Sequence, residues 1–280
     1  MEAGTSAFSS ILLVCLLTAI IHMVETLSYG ARIAGIKTRR LYLAASLFSI
    51  VVLLARTANL IQAPLLGYYV DSVIILERIP ELRESIRMII FSATIGSLAA
   101  LMLIPTFVNI FEILIGSLER SRSLGNMFMN IINADKLMRK VYFALAKSVK
   151  LPRLSNLLLL KENKIPKEIL ILYILVASIN TVGVLSAIYA GALIPDYRLT
   201  ASQMSGVLNG FSTIILTFFI DPYASLITDH TLVGKRKLTD LKALITYLVI
   251  GKIIGTLLGQ LAFIPCARFV VLVTTLLQKL

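Results

Sequence analysis

Residues 88–111 read MIIFSATIGSLAALMLIPTFVNIF and contain no Asp, Glu, Lys or Arg. A helix needs about 20 mostly apolar residues to cross the hydrocarbon core of a bilayer, and this stretch is long enough. Five further stretches have the same character, namely 8–30, 41–63, 168–191, 203–220 and 243–264. Because backbone groups that face lipid must find hydrogen bonds within their own segment, each stretch is predicted to be a helix. The predicted fold class is therefore an all-α integral membrane protein with about six transmembrane helices.

Composition supports this fold class. The chain has 280 residues, of which 58% are hydrophobic and 15% charged, and its mean hydropathy is +0.88. Soluble domains are about 45–50% apolar and about 25% charged. A soluble globular protein, a disordered chain and a nucleic-acid-binding domain are thereby excluded, although the net charge of +12 would otherwise favour the last. We expect these cations to face anionic membrane lipids.

The positions of Lys and Arg predict the orientation of the chain. The segments 32–40, 116–168 and 221–242 carry 19 of these residues, whereas the remaining loops and both tails carry 6. The positive-inside rule places the richer segments in the cytoplasm and both termini outside. The chain is expected to form a single polytopic domain over 1–280. Residues 1–115 hold three spans, 116–167 form a basic cytoplasmic loop, and 168–280 hold the last three spans.

Three segments need separate interpretation. Between 128 and 149, apolar residues recur every three or four positions with basic residues opposite, which predicts a basic amphipathic cytoplasmic helix. The second span is expected to close at Pro64. Residues 65–76 are too short to form a span of their own, and they either extend the second helix or lie in the outer interface. Pro265 interrupts the sixth span, so that 266–280 form either an interfacial helix or a kinked continuation. Asp221 and Pro222 are expected to stop the fifth span.

Polar residues inside the spans are the candidate functional residues, because such residues are costly in a membrane. His22, Glu25, Tyr29 and Arg32 are spaced by three and four residues, which places them on one face of the first helix. Two more sets lie in the second and sixth spans: Arg56, Asn59 and Gln62, and Lys252 and Gln260. The predicted substrate-binding residues are Arg56, Lys252, Glu25, His22, Tyr29, Arg32, Asn59 and Gln62.

Depth within the membrane predicts which charges meet. At 1.5 Å per residue, Glu25 lies about 8 Å to the cytoplasmic side of its span's midpoint, Lys252 lies close to the midpoint, and Arg56 lies about 6 Å to the outer side. Glu25 is therefore expected to pair with Lys252 rather than with Arg56. Three charges near mid-membrane indicate a hydrated cavity, in which Arg56 and Lys252 would hold phosphate oxygens. Glu25 and His22, one turn apart, form a pair able to bind or relay a proton.

Other patterns bear on packing and chemistry. Gly251, Gly255 and Gly259 recur every four residues, a close-packing face that serves either the chain itself or a homo-oligomer. The sequence contains no metalloprotease motif, no phosphate-binding glycine loop and no Ser–His–Asp or Cys–His set. No catalytic residue, metal or cofactor is predicted, and the chain is not expected to be an enzyme.

The segments ETLSYGARIAG (25–35) and ARTANLIQAP (55–64), in a six-span chain with a basic central loop, resemble the Amj family of lipid II flippases. These bacterial proteins stand in for MurJ in peptidoglycan synthesis. The resemblance implies a multi-pass protein of the cytoplasmic membrane that moves undecaprenyl-pyrophosphate-linked disaccharide pentapeptide from the inner to the outer leaflet. Basic residues at the cytoplasmic mouth, such as Arg32 and the 136–140 cluster, would collect this lipid.

Three alternatives remain at the level of the sequence. One is an ion-coupled small-solute transporter with a Glu25–Lys252 gate. Another is an intramembrane enzyme acting on polyprenyl phosphates, which the missing catalytic sets disfavour. The last is a membrane scaffold, which leaves the buried charges unexplained.

Overall fold

The computed structural model describes residues 2–121 and 165–279; the side chains of 1–9, Arg56 and Ser121 lie outside this description. Within the described residues every regular element is helical. In chain order the α-helices are α1 (Glu2–Ser28), α2 (Gly30–Thr38), α3 (Leu41–Ile75), α4 (Ile79–Ser121), α5 (Lys167–Leu193), α6 (Arg198–Gln203), α7 (Ser205–Ile215), α8 (Asp221–Leu232) and α9 (Leu238–Leu277). The predicted 128–149 helix falls outside the described residues.

Six segments of the described chain are long and apolar enough to cross a membrane, which confirms the predicted number of spans. They are Ser10–Thr38, Leu41–Ile75, Ile79–Arg120, Lys167–Leu193, Pro195–Leu232 and Leu238–Leu277. Each segment contains one of the six stretches identified in the sequence, and most extend well beyond it. The one exception is that the first segment lacks residues 8 and 9 of its stretch. The side of the membrane on which the termini lie stays a prediction.

Pro64 does not close the second span, and the alternatives in which the helices continue past Pro64 and Pro265 are confirmed. Pro64 and Pro265 lie inside α3 and α9, and Pro105 lies inside α4. Proline is tolerated in transmembrane helices because neighbouring helices, hydroxyl side chains and small local adjustments satisfy the freed carbonyl groups. Residues 65–75 therefore extend the second span, and 266–277 continue the sixth.

Charged residues also fail to mark helix ends. The third span begins at Ile79 rather than at 88, and Arg32 and Lys37 lie in α2 rather than in a loop. Asp221 and Pro222 do not stop the fifth span; they form the first turn of α8. Proline fits this position because the first-turn N–H groups of a helix have no intrahelical partner.

The fifth span is a chain of short helices rather than one continuous helix. A 3₁₀ turn at Pro195–Tyr197 precedes α6, and a π-helical segment at Leu216–Ile220 joins α7 to α8. Single-turn π segments inside helices often occur at functional sites, because they turn side chains away from the regular helical path. Asp221 follows this segment directly, as the first residue of α8.

The helices pack as two groups that correspond to the two predicted halves. In the first half α1 packs against α3 and α4, and in the second half α5 packs against α9 and α7. The halves meet where α4 contacts α9 and α5, and where α2 contacts α8 and α9. The described part of the chain thus has three spans on each side of one interface.

The glycine face of the sixth span is used within the chain. A Cβ added at Gly255 would lie 2.6 Å from the Ala177 Cβ and 2.7 Å from the Ile174 carbonyl oxygen, both in α5. Gly251 and Gly259 are also buried against α5. The intramolecular alternative is therefore confirmed, since α5 covers these glycines. Homo-oligomerisation stays a prediction.

Candidate functional site

The polar face of the first span points into the interface between the halves. Glu25, Tyr29 and Arg32 follow one another along α1 and α2, and each contacts a residue of the second half. Their partners are Lys252, Tyr173 and Asp221 respectively. We call these six residues the polar seam. The helical face predicted from the spacing of three and four residues is thus the surface that α1 and α2 turn towards α5, α8 and α9.

The central contact of the seam is an ion pair. The Nζ of Lys252 lies 2.7 Å from the Oε2 of Glu25 and donates a hydrogen bond to it. The side chain of Lys252 is 8% exposed and that of Glu25 is 31% exposed. The pairing expected from depth is therefore confirmed. The cation of this pair is buried, whereas the carboxylate keeps access to the molecular surface.

One turn from the ion pair, two tyrosines connect the halves. The hydroxyl groups of Tyr29 and Tyr173 form a hydrogen bond, and their rings meet edge to face with centroids 6.3 Å apart. Tyr29 also lies in the short break between α1 and α2, where the helix is interrupted. The break turns its ring towards α5 and Phe48 of α3, whose centroid is 6.5 Å away.

Arg32 forms the end of the seam. One guanidinium nitrogen lies 3.6 Å from the Oδ1 of Asp221, and another lies 3.5 Å from the Oγ of Ser225, both in α8. The guanidinium carbon stands 5.9 Å from the centroid of the Phe48 ring, which fits a cation–π contact. These contacts are long for charge-assisted hydrogen bonds, so Arg32 is held loosely.

A cavity of about 730 Å³ opens beside Arg32. Its walls come from α2, the start of α3, the end of α4, and α8. The charged residues in its lining are Arg32, Arg39, Arg40, Glu119 and Asp229. We call this cavity the arginine groove. Since Arg32 belongs both to the groove and to the seam, the two features are continuous.

The groove does not lie at the depth expected for a cationic chamber. The sequence predicted such a chamber near mid-membrane around Lys252 and Arg56, yet Lys252 is buried and neutralised by Glu25. The groove instead lies where α2 ends and α3 begins, the end of the bundle predicted to be cytoplasmic. In this structure Lys252 is paired with Glu25, and its role as a phosphate ligand stays a prediction. The Arg56 side chain lies outside the described residues.

The other candidate residues of the first two spans lie apart from the seam contacts. The amide of Gln62 donates a hydrogen bond of 2.6 Å to the Thr18 hydroxyl, which ties α3 to α1 in a buried position. Asn59 is exposed on α3. His22 lies one turn before Glu25, and its Nδ1 is buried with no hydrogen-bond partner among the described atoms.

Sequence reasoning missed four polar residues that join the halves. Tyr173 and Asp221 belong to the seam, and Asp71 of α3 lies 3.0 Å from Arg198 of α6 at the opposite end of the bundle. The sequence could have predicted this ion pair, because Asp71 and Arg198 both lie in segments predicted to face outward. Tyr173 gives no signal, because an isolated tyrosine in an apolar run is common in membrane helices.

Arg87 was also missed. It was assigned to a loop but lies in α4, where its carbonyl oxygen accepts a 2.8 Å hydrogen bond from the Gln260 amide of α9. Its Nε is buried with no hydrogen-bond partner among the described atoms. Gln260, which was noted as a polar residue of the sixth span, therefore contributes to the same interface between halves. No group of three or more His, Cys, Asp or Glu residues able to hold a metal occurs in the described ranges.

Known proteins match most of the chain. The family model described as Amj, Alternate to MurJ, matches residues 17–274. A relative from Bacillus subtilis (strain 168), named lipid II flippase Amj, is 34% identical over 256 residues, which cover 91% of this chain and 93% of the relative. No solved structure matches. The residues matched by the family model include every member of the polar seam and the whole lining of the arginine groove.

Proposed function

Because the chain belongs to the Amj (Alternate to MurJ) family, we propose that it is a lipid II flippase of the bacterial cell membrane. It moves the undecaprenyl-pyrophosphate-linked peptidoglycan precursor from the inner to the outer leaflet. It is a transporter and not an enzyme, since the precursor leaves with the same covalent structure with which it arrived.

The polar seam is the observation that supports this function best. A flippase must carry a sugar–peptide head and a pyrophosphate across hydrocarbon while the polyprenyl tail stays in lipid. Such a path needs polar groups along a surface that opens sideways to the bilayer. The seam runs between two halves of three spans each, so separation of the halves would expose polar side chains from both sides. Two-half architectures commonly place the substrate path at such an interface.

The ion pair at the centre of the seam suggests how the headgroup passes. When the halves are together, Glu25 neutralises the buried ammonium group of Lys252. When they separate, the ammonium group would exchange the carboxylate for a phosphate oxygen of similar charge. Return of Glu25 to Lys252 would then displace the phosphate and reset the transporter, with His22 placed one turn away to take part in any proton uptake by Glu25.

The remaining candidates have more distant roles in this proposal. Tyr29 and Arg32 would contact the headgroup between the groove and the ion pair. Arg56 stays a proposed phosphate ligand on α3, whereas Gln62 serves to hold α3 against α1. Anionic phospholipids would bind the basic end of the bundle under the positive-inside orientation.

Reconstituted vesicles test the function directly. Purified protein is placed in liposomes that contain lipid II with a fluorescent group on its pentapeptide, and a membrane-impermeant quencher is added outside. We expect the quenched fraction to rise from about half, the outer-leaflet share, towards completion, whereas protein-free liposomes stay near half. A quenched fraction that stays near half with correctly folded protein would contradict the proposal. The same vesicles, loaded with small solutes, exclude a solute transporter if no flux appears.

A further inference from the structure

We propose that the arginine groove is the loading site of the transporter, where the pyrophosphate of a polyprenyl-linked substrate docks from the inner leaflet before it reaches the polar seam. This inference rests on the proposed function, because it names the part of the substrate that the groove holds. The groove is not the mid-membrane chamber expected from the sequence, and it uses Arg39 and Arg40, which the spacing of polar residues in the spans does not single out.

Among the described residues, ion pairs engage two of the three guanidinium groups of the groove and leave the third without a carboxylate partner. Arg40 forms an ion pair with Glu119, and Arg32 is held at 3.6 Å from Asp221. Arg39 is exposed and forms no ion pair with any described residue. Asp229 is the second acid of the lining and is exposed to solvent. An incoming pyrophosphate would find Arg39 without an ion pair to any described residue and would compete with Asp221 for the loosely held Arg32, giving two planar guanidinium groups for its oxygens.

Arg39 occupies a backbone position that is usually taken by glycine. Arg39 ends α2 in the left-handed conformation, with φ 55° and ψ 30°. Its N–H donates to the Ile36 carbonyl, and the next N–H, of Arg40, donates to the Gly35 carbonyl. Glycine is the usual residue at the left-handed position of this helix ending, because other residues are strained there. An arginine in its place presents a guanidinium at the mouth of the groove at some cost in backbone energy.

The apolar part of the groove suits a lipid rather than a free ion. Beyond the charged residues, its walls include Leu41, Leu43 and Phe48 of α3, and the exposed side chains of Tyr42 and Leu232. Free pyrophosphate would gain nothing from these walls. A polyprenyl pyrophosphate would place its charges on the arginines and its first isoprene units on the apolar wall, which continues onto the lipid-facing surface of α3. The volume of about 730 Å³ accommodates this part of the molecule but not the whole substrate.

Binding measurements on the full-length protein in nanodiscs test this proposal. The probes are undecaprenyl pyrophosphate, inorganic pyrophosphate and phosphatidylglycerol, each followed by native mass spectrometry or by displacement of radiolabelled undecaprenyl pyrophosphate. We expect undecaprenyl pyrophosphate to bind and the other two to displace it only at concentrations at least about tenfold higher, since each lacks either the tail or the second phosphate. Equal displacement by phosphatidylglycerol would overturn the proposal, since the groove would then be a general anionic-lipid site. Equal displacement by inorganic pyrophosphate would overturn it as well, since the apolar wall would then add nothing to the affinity.

Variants at Arg39 separate binding from folding. Arg39→Gly removes the guanidinium while relieving the left-handed backbone, so the folded protein should be at least as stable as the wild type. We expect the affinity of this variant for undecaprenyl pyrophosphate to fall about tenfold or more. The affinity of Arg39→Lys should fall less, because the positive charge is kept. The matched control is Lys37→Gln, which removes one positive charge from the same end of the bundle but lies outside the groove, where Lys37 pairs with Glu112 at 2.6 Å. The control should bind as the wild type does.

Failure of this inference is distinguishable from failure of the proposed function. If the wild type flips lipid II and Arg39→Gly binds and flips it with unchanged affinity and KM, the groove is not the loading site although the function stands. If the wild type binds undecaprenyl pyrophosphate at Arg39 but lipid II stays in its leaflet, the function fails and the anion site stands.

Discussion

At the scale of single residues, the Glu25–Lys252 ion pair is the feature that most requires explanation. A buried ammonium is stable only because a carboxylate lies 2.7 Å away, and replacing such a pair by apolar residues of similar volume often costs a protein nothing. A purely structural role is therefore a weak reason for placing these charges in a membrane. Their position at the meeting of two halves fits the proposed function, because each would be exposed if the halves moved apart.

Unfolding free energies of single and double variants measure how strongly Glu25 and Lys252 depend on each other. Lys252→Met leaves Glu25 without its ammonium, and Glu25→Leu leaves a buried ammonium without its carboxylate. We expect each single variant to lose about 2–4 kcal/mol of unfolding free energy, with Glu25→Leu the more damaging because Lys252 is the more buried. The double variant Glu25→Leu/Lys252→Met should recover most of that loss. Denaturant unfolding of the purified proteins, followed by circular dichroism, measures these free energies. If the losses of the two single variants add up in the double variant, the two groups are not coupled.

The tyrosine pair provides a second prediction at this scale. Tyr29→Phe and Tyr173→Phe each remove one hydroxyl from the seam but keep the ring contact. Each should lower the unfolding free energy by about 1 kcal/mol, and the double variant by little more than either single one, because the same hydrogen bond is lost. The same unfolding experiment provides the test. Effects that sum in the double variant would mean that the hydroxyl groups do not bond to each other.

The sequence predicted only those contacts of the seam that follow from the spacing of residues along a helix or from their depth in the membrane. The spacing of residues 22, 25, 29 and 32 defines a face, and depth pairs Glu25 with Lys252. Neither argument reaches Tyr173 or Asp221, because their contacts depend on how α5 and α8 pack against the first half. The groove was missed for the same reason, since four separate segments build it.

At the scale of helices, lipid changes the usual meaning of proline and charge. Pro64, Pro105 and Pro265 would end helices in a soluble protein, yet here they lie inside helices of 35, 43 and 40 residues. The alternative to a helix in hydrocarbon is an unsatisfied backbone, which costs more than one lost hydrogen bond. The predicted spans were therefore correct in number and location but too short at most of their ends.

Close packing of α5 on α9 gives a prediction at this scale. Gly255→Ala should lower the unfolding free energy by about 1–3 kcal/mol, because the new methyl group would meet backbone and Cβ atoms of α5 that cannot move aside. The matched control is Gly210→Ala in α7, where an added Cβ meets nothing within 4 Å. The control should be neutral or raise stability by about 0.5–1 kcal/mol through its better helix propensity. Equal effects at both positions would mean that α5 does not approach α9 as closely as the structure shows.

At the scale of the whole molecule, the arrangement of contacts between the halves suggests a direction of opening. The Asp71–Arg198 ion pair joins α3 to α6 at one end of the interface, with 3.0 Å between the charged atoms and both side chains partly exposed. The other end holds the arginine groove, where Arg32 is 3.6 Å from its acidic partner. Under the positive-inside orientation, we propose that the interface opens first at the groove end, which is predicted to face the cytoplasm. Substrate would enter at the groove, pass the ion pair and leave where Asp71 and Arg198 separate.

The orientation itself is a prediction that labelling can test. In a variant without Cys15 and Cys266, a cysteine is introduced at Glu77, in the turn between α3 and α4, or at Lys235, in the turn between α8 and α9. A membrane-impermeant maleimide should label the cysteine at 77 in intact cells, and the cysteine at 235 only after the membrane is permeabilised. The reverse pattern would place the arginine groove outside and would remove its role in loading.

The most direct test of the account is lipid II flipping by the double variant Glu25→Leu/Lys252→Met in reconstituted vesicles. This variant keeps the packing of the seam but lacks the charges that are proposed to exchange with the pyrophosphate. If the headgroup passes through the seam, the variant should fold and insert as the wild type does while its flipping rate falls by about a hundredfold or more, as expected when a charged contact made during passage is lost. A flipping rate close to that of the wild type would show that the precursor crosses elsewhere and that the ion pair only holds the halves together.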